Sequence, residues 1–254
     1  MKLQNMSGID QQTDSYIFAP PTPLGDGSVR AYYDRLLKGL AHKLNNQTSV
    51  VQGFGSLLLM QDDLSEETRE NIQHMKRSGE EISSLMGRVL TLAGCIQTNE
   101  QSIQLNEFLR MLDTSVRKLS TAADVPFDTH IAPDLPTVKC DPSRLRELVF
   151  ELLSNACESA SAGGGQVALD AFGPGTYSPL SENRIDIFIR NSGTEFPHEK
   201  IAGAFAPFVS TKTSEHFGLG LSVAAVLADV IGARLGISSE DGTTKVWLSI
   251  PVAE

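Results

Sequence analysis

Residues 36–58 read Leu36-Leu37-Lys38-Gly39-Leu40-Ala41-His42-Lys43-Leu44-Asn45-Asn46-Gln47-Thr48-Ser49-Val50-Val51-Gln52-Gly53-Phe54-Gly55-Ser56-Leu57-Leu58. Leu37, Leu44, Val51 and Leu58 recur every seven residues, with Leu40 and Phe54 supplying most of a second position, so the spacing predicts a long amphipathic helix starting near Val29. Gln61-Asp62-Asp63-Leu64 interrupts it. Ser65 then offers a side-chain acceptor to the first free N–H groups of a second helix, and Glu66 and Glu67 put negative charge at its positive end. That helix carries Ile72, Met75, Gly79, Ile82, Met86 and Val89 along one side, so two antiparallel helices are expected to face each other across a short turn. Such a hairpin leaves one apolar stripe uncovered. Two copies would bury it as a four-helix bundle, which makes a homodimer the expected assembly; the alternative is that the stripe packs on the C-terminal half of the same chain.

Outward from the hairpin the character changes on both sides. Residues 1–28 are polar and end in Ala19-Pro20-Pro21-Thr22-Pro23-Leu24-Gly25-Asp26-Gly27, punctuated too densely for a helix or strand, and read as a flexible tail. Residues 29–97 then form the hairpin unit and 98–254 a mixed domain. In the mixed domain the pattern predicts helices over about 106–120, 142–160 and 218–231, and strands over 125–131, 166–172, 184–190, 234–239 and 243–250. Asp141-Pro142 opens the second of these helices with a capping acid and a proline at the first helical position. The order predicts an α+β fold class: a helical hairpin followed by an α/β sandwich with helices on one face of the sheet.

Composition narrows the function classes. With 41% hydrophobic and 20% charged residues the chain is that of an ordinary globular protein. No apolar run approaches the ~20 residues of a membrane span, and no basic-then-apolar leader opens the chain, so the reading is cytoplasmic with no membrane partner. A formal net charge of -10 opposes binding to nucleic acid, whose phosphates are held by clustered Lys and Arg. Cys95, Cys140 and Cys157 show no paired spacing for a metal or a disulfide framework. Nor do His74, His130, His198 and His216 share a spacing that would gather them around a metal.

His42 falls two positions after a seam leucine, on the face turned away from that seam, and is expected to be exposed. A neutral imidazole is nucleophilic near pH 7 through its free ring nitrogen. Asn46, one turn on, shares its face and could orient a water or a phosphoryl group.

The segment Ala41-His42-Lys43-Leu44-Asn45-Asn46 resembles the phosphoacceptor box of sensor histidine kinases, especially the nitrogen-regulation-like branch. Three further stretches resemble that family's motifs in its order, so the likeness runs from about Leu36 to the C-terminus. Glu151-Leu152-Leu153-Ser154-Asn155-Ala156 is similar to the N box, which implies that Asn155 holds Mg²⁺ against the phosphates of ATP and Glu151 supports it. Phe205-Ala206-Pro207-Phe208-Val209-Ser210-Thr211-Lys212 resembles the F box and the start of an ATP lid, which implies that Lys212 meets the phosphates. Gly218-Leu219-Gly220-Leu221-Ser222 resembles the G2 box, where glycines let the backbone approach phosphates at a helix start.

Departures from the family pattern are equally specific. The position after the histidine is normally acidic and helps polarise the imidazole; here it is Lys43. The G1 box, normally Asp-x-Gly-x-Gly, reads Asn191-Ser192-Gly193-Thr194-Glu195. Asn191 stands where the family's carboxylate accepts from the adenine amino group, and Glu195 adds bulk and charge in place of the second glycine. The resemblance implies a two-component histidine kinase that takes phosphate from ATP onto His42 and passes it to a response-regulator receiver domain, with nucleotide and Mg²⁺ binding weakened or lost. A second reading is a histidine phosphotransferase or pseudokinase scaffold whose sandwich no longer turns over ATP. A third, an ATP-driven clamp sharing the sandwich fold, fits the small size and the hairpin less well.

Overall fold

The computed structural model describes residues 17–18, 27–176, 180, 183–193, 196–209 and 217–253. Its elements run β1 (Ile17–Phe18), α1 (Gly27–Leu59), α2 (Glu66–Leu92), β2 (Gln101–Gln104), α3 (Leu105–Ala122), β3 (Phe127–Ile131), β4 (Thr137–Cys140), α4 (Pro142–Gly163), β5 (Val167–Phe172), β6 (Arg184–Ser192), α5 (His198–Ile201), α6 (Gly220–Val230), β7 (Arg234–Glu240) and β8 (Thr243–Pro251). Two compact units result, Thr22–Gln97 and a second that combines Met1–Pro21 with Thr98–Glu254.

The first unit is the helical hairpin. Ser65 caps α2, its hydroxyl accepting from the Thr68 N–H at 3.2 Å. Arg69 donates to the Leu59 carbonyl at 3.3 Å, closing an orphan group at the end of α1. The helices do not meet where the leucine heptad suggests. Buried Ala41, Thr48 and Gly55, themselves spaced by seven, line the inner side of α1, and Ile72 and Gly79 that of α2. A Cβ on Gly79 would lie 3.1 Å from Thr48 Cγ2, and one on Gly55 would lie 3.0 Å from Lys76 Cγ. Small residues let the two backbones approach, and the bulky row is turned outward instead. Leu40, Val51, Phe54, Leu58, Met75 and Ile82 are all exposed, Phe54 to 63%, while Leu37 and Leu44 are half-buried.

The second unit is built on a six-stranded sheet of order β1-β7-β8-β6-β5-β3, antiparallel except for the β3–β5 pair, beside a two-stranded ribbon of β2 and β4. One face carries Val167, Leu169, Ala171, Ile185, Ile187, Ile189, Leu235, Ile237, Val246, Leu248 and Ile250, all buried. This apolar face receives α4 and α6, whose Leu145, Leu148, Leu152, Leu153, Val223 and Leu227 are buried between the layers. The opposite face alternates to polar and aromatic groups: Trp247 donates to Asp186 at 2.8 Å, and Arg190 pairs with Asp170 across β6 and β5 at 2.6 Å. The strand β1 was hidden from the sequence reading of residues 1–28 as a tail: Ile17 and Phe18 pair with Ile237 and Gly236 at the sheet edge. The rest of that proposed tail up to Asp26 lies outside the described residues. Among the described residues no helix is long and apolar enough to cross a membrane.

Candidate functional site

The site in the second unit starts at the foot of α4. Asp141 caps it, its Oδ1 accepting from Ser143 N at 2.8 Å and Arg144 N at 3.1 Å while Oδ2 accepts from Asn99 N at 2.6 Å. Burial pushes this carboxyl up, but the three N–H donors and the Arg144 charge outweigh it and hold it below the ordinary Asp value. A depressed folded value means that the cap stabilises fully above the unfolded value of about 3.9 and is lost as pH falls through the folded one. An Asp141→Ala variant is therefore expected to lose about 1 kcal/mol near pH 7. In urea unfolding, its deficit relative to the unchanged protein should shrink as the pH is taken well below 4.

Two turns and more along α4, half-buried Glu151 and Asn155 sit one helical turn apart on the same side. Asn155 abuts the first residue of α6. A Cβ on Gly220 would lie 2.6 Å from Asn155 Oδ1, so only glycine lets the helix start come this close to the carboxamide. Gly218 has φ +64°, and a Cβ there would lie 2.9 Å from the Phe208 carbonyl carbon. Phe208 itself holds φ +65° with its ring 74% exposed, a backbone that a bulky residue rarely adopts, whereas Phe205 is buried. Leu219 is buried and Leu221 half-buried behind this backbone cradle. Asn155, Gly218, Leu219, Gly220 and Leu221 are thus gathered, with Phe208 and Val209 against them.

A second cluster lies at the end of β6. Asn191 is 5% exposed, on the helix-covered face, in register with Val167 and Thr244. Its Nδ2 is buried and has no hydrogen-bond partner among the described residues. Gly193 has φ +118°, and a Cβ there would lie 3.3 Å from the Ala160 Cα of α4. Thr244 and Ser239 are missing from the sequence reading. Both are buried, their hydroxyls 3.1 Å apart, and Ser239 accepts from Phe196 N at 3.2 Å. Hydroxyls at inward positions of strands that otherwise bury Val, Leu and Ile were the signal. Thr194, Glu195, Ser210, Thr211 and Lys212 lie outside the described residues.

In the hairpin unit His42 and Asn46 are both exposed, and the Asn46 amide nitrogen stands 3.3 Å from His42 Nε2. When Nε2 carries no proton, Asn46 donates to it and the ring proton resides on Nδ1.

The cluster suits a magnesium nucleotide on three counts. A glycine backbone at the first turn of α6 presents N–H groups to phosphate. Asn155 supplies a hard oxygen beside it. Asn191 and the two hydroxyls are buried polar groups among hydrocarbon side chains, of the kind that hydrogen-bond the polar edge of a base. Residues 140–254 match the family model described as histidine kinase-, DNA gyrase B-, and HSP90-like ATPase. The sensor histidine kinase ZraS of Salmonella typhimurium is 22% identical over 218 residues, covering 85% of this chain and 45% of that protein. The adaptive-response sensory kinase SasA of Parasynechococcus marenigrum is 28% identical over 227 residues, covering 84% and 57%. The chain spans about half the length of these curated relatives. Full-length ShkA in complex with AMPPNP shares the fold with TM-score 0.72 and 24% identity over 86% of this chain and 46% of that one. Histidine kinase ThkA in complex with the response regulator protein TrrA does so with TM-score 0.58 and 17% identity over 91% of this chain and 68% of that one. Residues 140–254 of the second unit thus match the histidine kinase-, DNA gyrase B-, and HSP90-like ATPase family model, in a chain similar over more than four fifths of its length to sensor histidine kinases.

Proposed function

We propose that the chain is a two-component histidine kinase in which His42 accepts a phosphoryl group from ATP and yields it to an aspartate of a response-regulator receiver domain. The observation that carries the reading is the contact of Asn155 with Gly220, which joins the N-box helix to the G2 backbone as a magnesium-nucleotide site requires. Glu151, Asn155, Asn191, Gly193, Lys212, Gly218, Leu219, Gly220 and Leu221 would hold Mg²⁺ and ATP, and ATP supplies the phosphoryl group. The helix-start N–H groups would orient the phosphates, while Asn155 would hold the ion. His42 is the acceptor, with Asn46 setting its tautomer. Positioning and electrostatics account for most of the rate in such transfers. A receiver partner is favoured by the likeness to a kinase solved with its response regulator.

The second reading, a phosphotransferase or scaffold fed by a receiver, is favoured by Lys43, which removes the acidic neighbour of the histidine, and by Asn191. Incubating the protein with labelled Mg-ATP, and separately with a phosphorylated receiver, distinguishes them. Label from ATP establishes the kinase; label from the receiver alone establishes the relay; label from neither removes both.

The homodimer belongs to the same proposal. The outward row of Leu40, Val51, Phe54 and Leu58 on α1 with Met75 and Ile82 on α2 is a continuous apolar face of the kind that two hairpins bury as a four-helix bundle. Val51 is 42% exposed in the single chain, so a charge there is tolerated by the hairpin and penalised only by the bundle. Light scattering at micromolar concentration should give a dimer mass for the protein and a monomer mass for Val51→Asp with its helical circular dichroism largely kept. A monomeric unchanged protein would remove the dimer.

A further inference from the structure

On the proposed reading Asn191 stands where the base is read, and there it offers a donor that a carboxylate lacks. A carboxylate only accepts hydrogen bonds, and so selects a base edge that donates, such as the 6-amino group of adenine. An amide both donates and accepts. In this fold its donor end, Nδ2, is buried without a partner among the described residues, on a residue only 5% exposed. A buried N–H left unpaired is destabilising, and an acceptor on the ligand would relieve it. The amide's immediate polar neighbours are equally ambivalent: the Thr244 side chain lies in cross-strand register with it, and Thr244 shares a hydrogen bond with Ser239 in which either hydroxyl can donate. No charged group stands on the paired residues Val167 and Thr244 to fix the polarity.

We infer that Asn191 makes the base pocket accept 6-oxopurine nucleoside triphosphates at least as readily as ATP. The inference rests on the reading of this cluster as a nucleotide site and adds the identity of the base. The amide nitrogen donates to the 6-oxo group, and rotation of the carboxamide by half a turn lets the oxygen accept from a 6-amino group instead. A site able to present either end to the ligand loses the discrimination that a single-sign group enforces.

The sharpest probe is inosine triphosphate, which differs from ATP only in the 6-oxo group and the proton on N1. Calorimetric titration of the full chain with Mg-ITP and Mg-ATP is expected to give affinities within about tenfold of each other, ITP being equal or tighter, since one hydrogen bond is worth about a factor of ten. Asn191→Asp should move the ratio toward ATP by tenfold or more. A preference for ATP above about twofold in the unchanged protein overturns the inference even if the variant fails to fold. A ratio unchanged by the substitution overturns it as well. Binding of ATP alone leaves the nucleotide site standing while the base assignment falls, whereas binding of neither nucleotide removes both.

Discussion

The His42→Gln variant is expected to carry no phosphoryl label from any donor, while folding as the unchanged protein does. His42 is exposed on α1, and glutamine suits a helix, so the change in stability should stay within about 0.5 kcal/mol. Glutamine retains hydrogen-bonding capacity beside Asn46 but has no nucleophilic lone pair of imidazole type. The loss is therefore chemical and complete rather than graded. The label on the unchanged protein should be acid-labile and alkali-stable, as a nitrogen–phosphorus bond is. The same outcome is required whether ATP or a receiver is the donor. Label that survives the substitution would mean another acceptor, and His42 would then be an ordinary surface residue.

The second large effect concerns Gly220. An Ala at this position puts a methyl group within 2.6 Å of Asn155 Oδ1, so the carboxamide must rotate away from α6. The Asn155 carboxamide is the far end of a half-buried side chain rather than backbone, so the fold should lose about 1 kcal/mol. The proposed site loses much more, because the group meant to hold the ion is swung off its place. Nucleotide affinity should fall about 10- to 100-fold, the usual cost of misplacing an ion's supporting group. Asn155→Ala should cause a comparable loss. Combining the two should cost little beyond either alone, since both act through the same side chain. Additive losses in calorimetry would show that Gly220 and Asn155 serve the ligand independently.

Local signals carried most of the fold. Ser65 with Glu66 and Glu67, and Asp141 with Pro142, marked helix starts that the structure places within a residue, because a cap is a short-range arrangement of one side chain and two or three N–H groups. The long strands were legible from apolar runs bounded by glycine. What escaped were elements stabilised by partners distant in sequence. β1 is two residues long and exists through β7, more than two hundred positions away, and β2 and β4 likewise depend on each other. The small row that faces α2 was not legible, because the heptad of large residues and the heptad of small ones run side by side. Periodicity gives the interval and not which row a partner helix chooses. In the candidate site, Asn155, Gly218 and Gly220 could be named from the resemblance to the family's N and G2 boxes. Thr244 and Ser239 could not, since a hydroxyl inside a strand gains meaning only when the neighbouring strand puts another beside it.

The contacts of Asp141 also have a mechanical side. One carboxylate oxygen is spent on the first turn of α4 and the other on the backbone of Asn99, at the point where the chain enters the second unit. Asp141 thus ties the backbone at Asn99 to the foot of the helix bearing Glu151 and Asn155. The carboxylate acts as a rivet between two stretches of chain 42 positions apart in sequence.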